Sequence, residues 1–128
     1  MRAVVLGLCT AVVLVVRVTH AQMPLPAAKP PAGATLFKQQ CAVCHTTNLS
    51  EPMRQGPPLV RIVGRPAGKV EGFHYSDSLA KADFAWDEAR LDAWLTNPQA
   101  VIPGVVMVYR QAKPETRAAI IAFLREQN

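Results

Sequence analysis

The sequence predicts an all-α domain. Apolar residues recur at helical spacing in three segments, each bounded by residues that start or stop helices, and no segment alternates convincingly as a half-buried strand would. The first segment runs from about Ala34 to Cys44 and places Leu36, Phe37, Cys41 and Cys44 at helix-compatible spacing. The second, "DEARLDAWLTNP", offers Asp87 as N-cap and Glu88 in the first turn. Leu91, Trp94 and Leu95 lie on one side, and Asn97-Pro98 acts as the stop. The third begins near Pro114, a residue suited to the first helical turn, and gathers Ile120, Phe123 and Leu124 on one face. A short additional turn of helix is expected from Ser76. The run "VIPGVVMVY" has the β-branched content of a strand but lacks its alternation.

Ahead of these segments the chain of 128 residues opens with "MRAVVLGLCTAVVLVVRVTHAQ". An early arginine, an apolar run from Ala3 to Val16 and small residues ending at Ala21 have the form of an export signal, expected to be cleaved after Ala21. The apolar run stops at Arg17, short of the roughly 20 residues that span a bilayer, so a permanent membrane anchor is not expected. Cys9 falls within the signal, and "LGL" ahead of it makes a poor lipoprotein site. Residues 22–32 are rich in proline and alanine and read as a flexible lead-in, which leaves 33–128 as one domain with a modest core. Without Arg2 and Arg17 the 14 basic residues fall to 12, against 9 acidic ones, a net charge of +3. These basic residues are scattered and not interleaved with aromatic ones, so nucleic acid is excluded as a partner.

The chemistry of the domain lies in "CAVCH", residues 41–45. On a helix, residues three apart face the same way, so the sulfurs of Cys41 and Cys44 can address one flat object, with His45 directly behind them. A structural zinc site needs four ligands, and after this triplet the chain beyond the signal has only His74 to add. A thioredoxin-like dithiol needs a βαβ context that is missing here, and a disulfide across so small a loop would gain little chain entropy. A run of this form is the attachment signal of c-type haem, with the cysteines joined to the porphyrin vinyl groups and the histidine bound to the iron. A c-type electron carrier commonly fills the opposite iron face with methionine. Met23 lies in the lead-in and Met53 follows His45 too closely to cross to that face. Met107 remains, just after the turn at Pro103-Gly104; an isolated methionine is more often core filler, but this turn and the distance from His45 favour a ligand. His74 is a weaker candidate in an exposed loop.

With Gly33, Phe37, "CAVCH", "GPPL", "GR", "GFHYSDS", Trp86, "WLTNP", "IPGVVM" and Phe123 in this order, the sequence resembles the class I cytochromes c over nearly the whole domain. The resemblance implies their fold, about three main helices plus short helices and loops wrapped around one covalently bound haem c. It implies a soluble one-electron carrier and not an enzyme, with Cys41 and Cys44 holding the haem and His45 and Met107 as axial ligands. By the same resemblance the Pro57 carbonyl accepts a hydrogen bond from His45, Arg65, Tyr75 and Trp86 surround the haem propionates, and Phe37 meets Phe123 where the first and last helices cross. Partners implied are redox proteins such as a quinol:cytochrome c oxidoreductase, a terminal oxidase, a reaction centre or a periplasmic dehydrogenase, met by a monomer in the periplasm.

Departures from the family pattern cluster on the Met107 side. Val105 and Val106 stand where threonine and lysine are frequent, Leu79 replaces a frequent asparagine and Trp94 a common tyrosine. That side is therefore expected to be poor in hydrogen-bonding groups. Dissociation of Met107, as in a gas sensor or a peroxidase-like enzyme, is the rival reading, together with a subunit held in a complex by an uncleaved signal. Gln40, Gln99, Ala100 and Val106 fall at positions where mitochondrial relatives carry lysine. An apolar docking rim of Val105, Val106, Val108 and Tyr109 is expected instead, with Arg110 and Lys113 further along.

Overall fold

The computed structural model describes residues 32–127, so the expected export signal and all but the last residue of the lead-in lie outside the described residues. The described residues fold into five helices: α1 (Gly33–Gln40), α2 (Asp77–Ala80), α3 (Glu88–Thr96), α4 (Pro98–Val101) and α5 (Pro114–Glu126). Among the described residues there is no strand, only an isolated antiparallel bridge between Pro66 and Ala85. No described helix is long and apolar enough to cross a membrane.

Each long helix buries the face its sequence pattern offers. Leu91, Trp94 and Leu95 of α3 and Ile120, Ile121 and Leu124 of α5 are buried together with Leu36 and Phe37 of α1. The start of α3 is fixed by Asp87, whose carboxylate accepts from the Arg90 amide at 2.6 Å and satisfies one of the free donors of the first turn. Ser76 caps α2 in the same way through the Leu79 amide. Proline opens both α4 and α5, so Pro98 ends α3 and at once begins another helix, since its missing N–H costs nothing in a first turn.

Helix α1 packs against α5, and α5 against α3. The α1–α5 crossing is close because Gly33 has no side chain: a Cβ there would stand 2.1 Å from the Ala119 carbonyl oxygen. Beside it the rings of Phe37 and Phe123 meet with centroids 5.3 Å apart. The pair is thus a packing contact at the crossing, of the tilted geometry that aromatic rings favour.

One boundary differs from the sequence reading. Helix α1 was expected to reach Cys44 but ends at Gln40. Beyond Cys41 the regular ladder fails: the Ala42 amide returns to the Phe37 carbonyl, and the Cys41 carbonyl accepts from both Cys44 and His45, at 3.0 and 2.9 Å. The chain therefore leaves the helix in tight turns, and helical spacing alone cannot distinguish such turns from one more turn of α-helix.

Candidate functional site

A cavity of about 320 Å³ opens between the turn after α1, the segment 55–79 that runs into α2, helix α3 and the loop before α5. Its lining is mostly apolar, including Leu59, Ile62, Leu79, Leu91, Leu95 and Val105, with few polar groups placed among them, the usual make-up of a small-molecule site. Cys41, Cys44, His45, Pro57, Arg65, Tyr75, Trp86 and Met107 all contribute to its walls, so the structure brings every residue singled out for the site to one cavity. His74 is exposed and is not among the lining residues, and Met53 lies on the surface.

The two thiols are unbridged. Burial, with the neighbouring Cys44 adding to it, pushes the Cys41 thiol up to about 11. It is therefore neutral at physiological pH, unlike the acidic thiol of a redox dithiol. His45 lies on the same turn. Its Nδ1 is 2.8 Å from the Pro57 carbonyl oxygen, which fixes the ring so that the other nitrogen is free to bind. Burial lowers the imidazole pKa, against the opposing effect of that hydrogen bond, with Arg65 adding to the fall. A neutral imidazole is the form that ligates a metal.

Gly56 completes this wall. Its amide donates to the Cys44 carbonyl at 2.7 Å, and a Cβ on it would stand 2.3 Å from His45 Cε1. Behind the turn, Arg54 donates to the Ala42 carbonyl and pairs with Glu51 at 2.8 Å, while Glu51 accepts from the buried Thr46 hydroxyl at 2.7 Å. This brace and the requirement for glycine at position 56 were not anticipated. A glycine in the residues following an attachment turn was the available signal for the second, and an i, i+3 acid–base pair only a faint one for the first.

At another part of the cavity the backbone around Pro66 and Ala85 pairs, with Trp86 donating to the Arg65 carbonyl at 2.9 Å and Gly64 to the Trp86 carbonyl at 2.7 Å. The pairing sets Arg65 and Trp86 side by side. Arg65 donates through Nη1 to Val60 and through Nη2 to Pro58, at 2.8 and 2.9 Å. Its Nε is buried without a hydrogen-bond partner. A buried donor left in this state is costly unless an acceptor comes to it. Burial lowers the Arg65 pKa and raises that of Tyr75, while the interaction between the two opposes both shifts. Trp86 is buried between Phe84 and Trp94, edge to face with each, at 5.2 and 5.0 Å.

Met107 sits on the loop between α4 and α5. The expectation of a distal side poor in hydrogen bonds needs correction at this point, because the indole Nε1 of Trp94 donates to Met107 Sδ at 3.0 Å. Tryptophan in place of tyrosine changes the donor and not its presence, since both rings carry one polar hydrogen. The rim also differs. Val105 is buried in the core with its carbonyl held by Gln99, whereas Val106 and Val108 are 81% and 83% exposed although both line the cavity.

The walls fit a flat apolar group. Two unbridged thiols can tether it, an oriented imidazole and a thioether can meet a metal at its centre, and the unsatisfied Arg65 donor can meet an anionic edge. The matching family model is Cytochrome c, over residues 31–128. Cytochrome c2 of Rhodomicrobium vannielii is 43% identical over 103 residues, 80% of this chain and 82% of its own. Cytochrome c of Ulva intestinalis is 39% identical over 102 residues, 79% and 92% of the two chains, and that of Theileria annulata 40% over 103 residues, 80% and 89%. The chain belongs to the cytochrome c family, electron-transfer proteins that carry covalently attached haem c, for which Cys41 and Cys44 supply the paired cysteines.

Proposed function

We propose that this protein is a one-electron carrier whose haem iron is ligated by His45 on one side and Met107 on the other, closed to substrates and small ligands. The observation that carries this reading is the convergence of both residues on the cavity that holds the two cysteines, each restrained by its own hydrogen bond. Pro57 restrains His45, and Trp94 restrains Met107. When bound, haem c supplies the one-electron couple of its iron. With His45 and Met107 both holding the iron, no coordination position would remain for chemistry on a substrate. Arg65, Tyr75 and Trp86 form the polar end that receives the propionates, where a charge and polar hydrogens offset the cost of burying carboxylates.

The amino-terminal 21 residues direct export, which places the carrier in the periplasm as a monomer. Its partners there are other redox proteins, of the kind represented by a quinol:cytochrome c oxidoreductase, a terminal oxidase, a reaction centre or a periplasmic dehydrogenase. They meet the protein where Val106 and Val108 border the cavity mouth. Carbon monoxide added to the reduced holoprotein tests the closed site. The carrier reading expects no change in the absorption spectrum at neutral pH, whereas rapid formation of a carbonyl adduct would show an open iron and support a sensor or peroxidase-like protein.

A further inference from the structure

The two segments that carry the proposed axial ligands are joined by a hydrogen-bonded strap. Gln40, the last residue of α1, stands next to Cys41, and Tyr109 is two residues after Met107. The Gln40 Oε1 accepts from the Tyr109 hydroxyl at 2.5 Å and from Gln111 Nε2 at 3.0 Å, and Gln111 Nε2 also donates to the Tyr109 hydroxyl oxygen at 3.3 Å. Both Gln40 and Tyr109 line the cavity, so the strap lies along its wall. Its far end is anchored: the Gln111 amide donates to the Leu95 carbonyl at 2.7 Å, and the Gln111 carbonyl accepts from Arg117 at 3.0 Å. Arg117 in turn is paired with Asp92 at 2.7 Å. Residues 109–111 are therefore tied to α1, α3 and α5, while Met107 itself is held directly by the Trp94 hydrogen bond.

From this arrangement we infer that Gln40, Tyr109 and Gln111 are positioning residues that keep the Met107 loop closed and set how often the Met107 sulfur leaves the iron. The inference rests on the ligation by Met107 proposed above. A loop can open only by breaking the bonds that tie it down, and here two donors converge on one side-chain oxygen. Removing that oxygen breaks two bonds at once and leaves the strap only the longer Gln111–Tyr109 contact, whereas removing the tyrosine hydroxyl leaves Gln111 its bond to Gln40. The three side chains are amide, phenol and amide, with no ion pair among them. Closure at this point does not depend on attraction between charges, which salt would screen.

Imidazole is the probe. Added in excess to the oxidised holoprotein it captures the iron each time the loop opens, and the limiting rate at saturating imidazole reports the opening. The near-infrared band of sulfur–iron ligation follows the loss of Met107. Tyr109→Phe is expected to raise the limiting rate about fivefold, the usual effect of one net hydrogen bond, and Gln40→Ala about 25-fold. Tyr109→Phe added to Gln40→Ala raises the rate by clearly less than it does alone, because the bond between these two side chains is already gone and only the longer contact with Gln111 remains to be lost. Gln40→Glu, which keeps the accepting oxygen, stays within about twofold of the unmodified protein on the same reasoning. A limiting rate unchanged in both Gln40→Ala and Tyr109→Phe overturns the inference, as do effects that multiply independently in the double variant. If the unmodified protein lacks the near-infrared band altogether, Met107 ligation fails and the strap's role fails with it. A band that is present with unresponsive rates defeats the strap alone.

Discussion

The two sides of the cavity are built in different ways. The His45 wall is local: residues 41–59 turn back on themselves, with Gly56 bonded to Cys44, Leu59 to Thr46, and His45 held by Pro57. The Met107 wall is assembled from distant parts of the chain. Trp94 of α3 reaches the sulfur, Gln99 of α4 holds Val105, Gln40 of α1 holds Tyr109, and Arg117 of α5 holds Gln111. A wall made of neighbours is rigid and offers few independent parts to lose. A wall held by several separate tethers can lose one and remain, so it is where ligand exchange is expected to start and where related carriers can differ.

The largest break is predicted on the local side. Gly56→Ala would drive a methyl group against the imidazole, which has no room to retreat while Nδ1 is bound to Pro57. Overpacking of a fixed site costs about 1–3 kcal/mol. A fall in the urea midpoint of the holoprotein by the corresponding amount, with unchanged slope, is the expected result. Wild-type stability would mean that His45 moves freely and that this wall is not the rigid one.

A smaller effect is expected from Trp94→Phe, which removes one tether and leaves the others. One net hydrogen bond is worth about 1 kcal/mol. Because a donor to the sulfur draws electron density away from it, losing the donor stabilises the ferric state. The reduction potential should therefore fall. A potential that rises or stays constant would show that the Trp94–Met107 contact does not survive in the holoprotein.

How far each wall was legible in the sequence follows from the same contrast. Cys41, Cys44 and His45 fall within one stretch, residues 41–45, so their common chemistry could be read without a fold, and Asp87, Pro98 and Pro114 marked helix ends because capping is a local matter. The end of α1 was placed too late, since spacing alone does not reveal where a helical ladder gives way to turns. Trp94 was read as a lost hydrogen bond because only the fold brings its Nε1 to Met107. Gln40 and Tyr109 are 69 residues apart, and nothing in either neighbourhood announces the other. Val105 and Val106 look alike in sequence, yet the turn at Pro103-Gly104 leaves one in the core and the other in solvent.

The smallest predicted effect concerns the outer surface of the Met107 wall. Val106 and Val108 expose apolar side chains at the cavity mouth, and exposed apolar groups gathered at one place mark contact surfaces. Val106→Asp is expected to slow electron transfer to a purified terminal oxidase a few-fold while leaving the fold and potential unchanged, with only weak dependence on salt in the unmodified protein. A steep decline with salt together with no effect of Val106→Asp would place docking on basic residues elsewhere.

The claim that joins both walls is that His45 and Met107 meet at one iron. Near-infrared absorption of the oxidised holoprotein at neutral pH tests it most directly, because a bond between methionine sulfur and ferric haem iron gives a weak band there that nitrogen ligands do not. The expected result is a band in the unmodified protein that disappears in Met107→His, with a lower reduction potential in the variant. A spectrum without the band, or one that Met107→His leaves unchanged, would contradict the account.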